Sequence, residues 1–185
     1  MAKTLVLIFT LPLIGISAYA QSSANPLSAG EKGLYGYVKG NLAAAAEKMP
    51  EDNYNFKPTP EVRSFGQIVG HVADAQYMFC SIVLGDSMKP QGIEKTKTTK
   101  ADLVKALNDS VSYCDKAYDG MTDAHAVEMV KFMDHDMAKL TVLSINNAHD
   151  DEHYGNIVTY MRIKGLVPPS TAGMNKPAPA KQDQK

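Results

Sequence analysis

Two histidines stand one helical turn apart in the run His149-Asp150-Asp151-Glu152-His153. Residues i and i+4 share a helix face, so both imidazoles can reach one point. Neutral imidazole nitrogens bind divalent cations at about 2.0–2.1 Å, and zinc-binding helices use this spacing. Asp150 follows the first histidine where the metalloprotease motif carries Glu, so protease chemistry is not indicated. At about 100° per residue, Asn156 and Tyr160 join His149 and His153 in one sector, flanked by Ile145 and Ile157. That sector faces inward. Buried polar groups need partners. A bound metal would supply one, and a hydrogen-bonded core network among these four side chains is the alternative.

A third imidazole belongs to the same argument. His71 shares a face with Gln67, Ala75, Met78 and Ile82, again an inward sector. It lies about 10 Å from the start of its helix, and His153 about 15 Å before the end of its own, at ~1.5 Å per residue. If those helices run antiparallel, all three imidazoles come near one level.

The elements that must position them are four helices of about twenty residues, over 28–49, 64–84, 99–118 and 136–163. Ser28-x-x-Glu31 and Ser64-x-x-Gln67 read as capping boxes, and Thr99-x-x-Asp102 opens the third helix. Leu34, Tyr35, Val38, Leu42 and Ala45 recur on one face of the first helix. Ile68, Val72, Ala75, Phe79 and Ile82 do so on the second, and Leu103, Ala106, Leu107, Val111 and Cys114 on the third. Pro50, Gly85, Gly120 and Gly165 with Pro168 and Pro169 supply the stops. The 86–98 link is polar, and 121–135 is irregular or briefly extended. Four helices with one apolar stripe each bury them most simply as an all-α four-helix bundle.

Outside that core, Lys3, the apolar run from Leu5 to Ile16 and the small residues Ala18 and Ala20 form a secretory signal over 1–20. A lead over 21–27 follows, then the bundle over 28–169 and a disordered, Ala/Pro/Lys/Gln-rich tail over 170–185. The chain is therefore expected to be exported, periplasmic or secreted, with no membrane span once the signal is cleaved. Nineteen basic residues meet twenty acidic ones, for a net charge of −1. Without a basic stripe, nucleic acid is not an expected partner.

The residues Gly70-His71-Val72-Ala73-Asp74-Ala75, His149-x3-His153-Tyr154-Gly155-Asn156-Ile157 and Tyr160-Met161-Arg162-x-x-Gly165 resemble the DinB/YfiT superfamily. The resemblance spans 28–169. It implies an up-down-down-up bundle whose second and third helices are parallel, and a divalent-metal site of His71, His149 and His153. Asn156 stands where the family pattern has Gln, which keeps an amide but shortens its reach. Three protein ligands leave a coordination position open, as catalytic sites do. The metal would be Zn, Ni or Fe, and the implied activity that of a transferase or hydrolase-type enzyme on a small ligand. The alternative is a non-enzymatic binding or interaction bundle; a long, exposed apolar helix face would favour that reading or a homodimer. Asp74 and Glu152 are candidates for carboxylates that orient the ligating imidazoles. With the second and third helices parallel, Cys80 and Cys114 fall at the same end, and a disulfide between them is expected. Two buried free thiols are the alternative.

Overall fold

Pro26 opens the first helix of a computed structural model that describes residues 24–174. The export signal expected over 1–20 and the tail beyond Met174 lie outside the described residues. The order is α1 (Pro26–Lys48), a 3-10 turn (Glu51–Asn53), α2 (Phe65–Leu84), α3 (Ile93–Thr96), α4 (Lys100–Asp119), α5 (Asp123–Ala126), β1 (Met129–Phe132), β2 (His135–Ala138), α6 (Lys139–Ile163) and α7 (Pro169–Met174). Proline suits the first helical turn because its missing N–H has no intrahelical partner to lose.

Local chemistry sets most boundaries. Ser64 Oγ accepts from Gln67 N and the Gln67 side chain accepts from Ser64 N, so α2 opens with a complete capping box. It closes on Gly85, whose φ of 74° favours glycine. Thr99 caps α4 through Asp102 N. The expected capping box at Ser28 does not form. The helix starts upstream, and Ser28 donates from both N and Oγ to the Asp123 carboxylate, while Leu27 N donates to its other oxygen. A carboxylate from a distant turn thus does the work expected of Glu31. Glu31 instead accepts from Asn147.

Contacts between the long helices fix their directions. Lys32 pairs with Asp119 and Tyr35 stacks on Tyr118, while the later Lys39 pairs with Asp115, so α1 and α4 are antiparallel. Leu103 packs beside Gly66 at one end, and Cys80 is bonded to Cys114 at the other, so α2 and α4 are parallel. His71 lies against His153 and Phe79 against His149, so α2 and α6 are antiparallel. The order is up, down, down, up. Two apolar clusters fill the interior: one around Leu42, Met49, Phe65, Val72, Leu107 and Ile157, the other around Tyr35, Phe79, Cys80, Cys114, Tyr118 and Leu143.

The stretch before α6 departs from the expectation. Residues 129–138 form an antiparallel hairpin, with Met129 opposite Ala138 and Phe132 opposite His135, and α6 begins at Lys139 rather than near Asp136. Met133 and Asp134 turn it at φ of 45° and 66°. Phe132 stacks on Phe79 at 5.6 Å between ring centroids, which covers the inner helices near His149. Past Gly165 and its φ of 72°, the chain turns back into α7. Ser170 N donates to Tyr154 Oη there, so order continues beyond the expected tail boundary. No helix among the described residues is long and apolar enough to cross a membrane.

Candidate metal centre

The antiparallel packing of α2 on α6 brings His71 to His149 and His153. Ring centroids lie 5.1 Å apart for His71–His149, 4.8 Å for His71–His153 and 4.4 Å for His149–His153. One nitrogen from each ring falls within 4.8 Å of the others. His149 Nε2 is 3.1 Å from His71 Nε2. Nitrogens bound to one tetrahedral ion at about 2.1 Å sit roughly 3.4 Å apart. The donor set therefore fits a single divalent cation with little movement.

Two of the three imidazoles have a carboxylate behind them. Glu94 Oε2 lies 3.1 Å from His71 Nδ1, and its Oε1 accepts from Arg63 Nε at 2.9 Å. The carboxylate makes Nδ1 the protonated nitrogen and turns the Nε2 lone pair toward the other two rings. Asp150 is 0 % exposed, and its Oδ1 is 3.8 Å from His149 Nδ1. Its Oδ2 accepts from Gln76 Nε2 at 2.7 Å. Asp150 Oδ1, His149 Nδ1 and His153 Nδ1 are buried without a hydrogen-bond partner.

The electrostatics suit metal ligation. Burial, then the neighbouring His149 and His71, pulls His153 down to about 4. Burial also lowers His71, helped by Arg63 and His149 and opposed by Glu94. Neutral imidazoles are the metal-binding form. Burial alone would raise the Glu94 carboxyl, but Arg63 and His71 more than offset it and hold it low. Burial pushes Asp150 up to about 6, with His149 opposing.

Residues 37–157, well over half of the chain, match the family model of the DinB superfamily. The chain belongs to the DinB superfamily. A Bacillus subtilis (strain 168) protein named YjoA is 22% identical over 123 residues, covering 65% of this chain and 79% of that one. The crystal structure of YjoA superimposes with a TM-score of 0.61 at 16% identity, covering 75% of this chain and 94% of that chain. A DinB-like protein from Bacillus cereus ATCC 10987 superimposes with a TM-score of 0.68 at 15% identity, over 76% and 95% of the two chains. At these identities the structures speak to the shared fold.

Within this DinB-superfamily fold, the other expected residues take varied places. Asp74 does not back His71. Its two oxygens accept from Ile93 N and Glu94 N, both at 2.9 Å, and so anchor α3. The reason is register: α3 lies over the start of α2, and its free N–H groups take the nearest carboxylate. Glu152 is exposed and forms, with Glu61, Arg63, His153, Asn156 and Tyr160, part of the rim of a cavity of about 490 Å³. Asn156 is exposed at that rim rather than buried in the core. Tyr160 is buried and its hydroxyl donates to Arg63 O at 2.7 Å, which fixes the loop that carries Arg63.

Glu94, Asp150, Gln76 and Arg63 were absent from the sequence-based site. Asp150 was visible in principle, since it lies on the same three-to-four-residue path as Leu143, Asn147, Tyr154 and Ile157, all buried. For Glu94 the signal is fainter: the branched apolar residue beside it, Ile93, is buried although it stands in a polar link. Gly70 is what lets it approach. A Cβ there would sit 2.8 Å from Glu94 Cα.

Proposed function

We propose that this chain holds one divalent cation through His71, His149 and His153, and that an open coordination position lets it act on a small ligand as a metal-dependent transferase or hydrolase-type enzyme. The observation that carries the reading is the pair of Nε2 atoms 3.1 Å apart. Glu94 accepts from the His71 Nδ1–H, and Asp150 Oδ1, 3.8 Å from His149 Nδ1, is the nearest carboxylate oxygen to that ring. Two lone pairs then face one another, an arrangement that a shared cation turns from repulsion into ligation. Zn, Ni and Fe all suit three imidazoles. When bound, such a metal supplies Lewis acidity and an activated water. The chain's own residues orient the imidazoles and exclude solvent from their inner edges.

A metal-free reading draws on the same distance. If His149 carries its proton on Nε2, it donates to His71 Nε2, and the cluster is core architecture of a binding or interaction bundle. Elemental analysis of the purified protein beside a His153→Ala variant separates the two. About one divalent ion per chain, lost in the variant, supports the site. Protein that stays metal-free after incubation with Zn, Ni and Fe salts removes the enzyme reading.

We also infer export. The apolar run from Leu5 to Ile16 ends in Ala18 and Ala20, and a disulfide suits an oxidising compartment. Protein recovered from an exporting host is expected to begin at Gln21, and an intact Met1 terminus on periplasmic or secreted protein would overturn cleavage.

A further inference from the structure

A second cavity, about 530 Å³, runs along α2 away from the three histidines. It falls within the size range of small-molecule sites. His71 and Glu94 line it, so it adjoins the candidate metal centre. Ala75, Met78 and Ile82 form its floor, one helical turn apart in succession, and Met88 and Pro90 of the following loop form its opposite wall. From His71 to Ile82 the floor is about 16 Å long at ~1.5 Å per residue.

The carboxylates around it are already engaged. Both oxygens of Asp74 accept from the backbone of α3. Those of Glu94 meet Arg63 and His71, and Asp86 accepts from the Tyr113 hydroxyl at 2.6 Å. The rest of the lining is chiefly apolar, a methyl, two thioethers, a branched side chain and a proline ring, with Tyr77, Ser81, Lys89 and Lys95 among it. Met78 is 40% exposed and lines the cavity. Methionine walls on both sides adapt to flexible chains.

We propose that this cavity binds the apolar body of the ligand whose head reaches the three-histidine site, and that the ligand is a small molecule with a medium-length aliphatic chain and a metal-coordinating head group. The inference rests on the metal-centre reading. It commits to a linear aliphatic body because the apolar floor is long and set by one helix face. Oxygen-donor heads on chains of graded length are the probe.

The test is calorimetric titration of the zinc-loaded mature protein with acetohydroxamate and its straight-chain homologues up to octanohydroxamate. Affinity is expected to rise about two- to fourfold for each added methylene, as burial of CH₂ groups requires. The variants Met78→Glu and Met88→Glu place a charge on either wall at partly exposed positions that the fold does not depend on. In each, acetohydroxamate is expected to bind as in the wild type while the chain-length gain disappears. If acetohydroxamate binds but lengthening the chain changes nothing, or the gain survives both variants, the cavity proposal falls and the metal centre stands. If no homologue binds and no zinc is retained, both fall.

Discussion

Two buried polar clusters meet on α6, one against α1 and α4 and the other against α2, and they are finished differently. In one, Tyr35 stacks on Tyr118 with centroids 3.9 Å apart, Tyr118 Oη donates to Leu143 O at 3.0 Å, and Asn146 Nδ2 donates to Tyr118 Oη at 3.1 Å. Burial raises both tyrosine hydroxyls far above their ordinary range, so they stay neutral and serve as hydrogen-bonding core groups. In the other, three imidazoles converge and leave Nδ1 of His149 and of His153 without a partner. In the tyrosine cluster Asn146 Oδ1 also lacks a partner, but the tyrosine hydroxyls are satisfied, and such a network specifies a core. Buried orphans call for an explanation, and in the histidine cluster His149 Nδ1 faces Asp150 while its Nε2 faces His71. Asp150 joins the two clusters: one oxygen is satisfied by Gln76, and the other is orphaned toward His149.

The sharpest break in this comparison comes from the Cys80–Cys114 disulfide, which ties α2 to α4 at the tyrosine end. It closes a separation of 34 residues with Cα atoms 5.2 Å apart. Loop entropy assigns such a cross-link about 4 kcal/mol. A Cys80→Ser/Cys114→Ser variant should therefore melt about 10 °C lower, given about 2–4 °C per kcal/mol for a domain of this size. Metal content measured below the melt should not change. Loss of metal in the folded variant would show that the two clusters are not independent.

A matched pair of substitutions then tests the contrast itself. Tyr118→Phe leaves Asn146 Nδ2 and Leu143 O short of a partner and should cost about 1–3 kcal/mol of stability. Its metal affinity should match the wild type. Asp150→Asn should do the reverse: affinity about 10–100-fold lower, as loss of an imidazole-orienting carboxylate gives, with no loss of stability in the metal-free protein because a buried charge has been removed. Denaturant melts and competitive metal titration of both variants read the two axes. The same sign of effect on both axes in both variants would erase the distinction.

The sequence made these clusters unequally visible. His149 and His153 are a local pattern on one helix, and their face follows from helical geometry alone. His71 required a second helix at the right height, which the family pattern supplied. Glu94 escaped because its position depends on three distant events: Asp74 capping α3, Gly70 admitting its backbone, and Leu103 packing alongside. A four-residue helix has no periodicity to read. The hairpin was hidden for a similar reason. Its turn places Met133 and Asp134 at positive φ without the glycine that usually marks such turns. Ser28 shows the opposite failure, a convincing local motif overruled by the Asp123 carboxylate. Gly70→Ala probes the hidden route directly. The added methyl meets Glu94 Cα at 2.8 Å and Leu103 Cδ2 at 3.2 Å. Backbone cannot yield cheaply, so α3 should shift at a cost of about 1–3 kcal/mol. Glu94 should then lose its hold on His71, and metal affinity should fall severalfold while the tyrosine end stays intact by near-ultraviolet dichroism.

The smallest effect is expected far from both clusters, where Asp123 closes the start of α1. Backbone donation from Ser28, then the Ser28 hydroxyl and Leu27 N, holds its carboxyl below the ordinary aspartate value. A depressed folded value stabilises the fold above the unfolded value, near 4, and that contribution is lost as pH falls through the folded value. Melting temperature followed from pH 6 to pH 3 should therefore drop slightly more steeply in the wild type than in Asp123→Asn, with metal content at neutral pH the same in both. The carboxylate is solvent-facing and its field screened, so the difference should be small beside that of the disulfide. An identical acid limb would mean that the amide caps Ser28 and Leu27 as well as the carboxylate does, and that charge at this helix start contributes nothing.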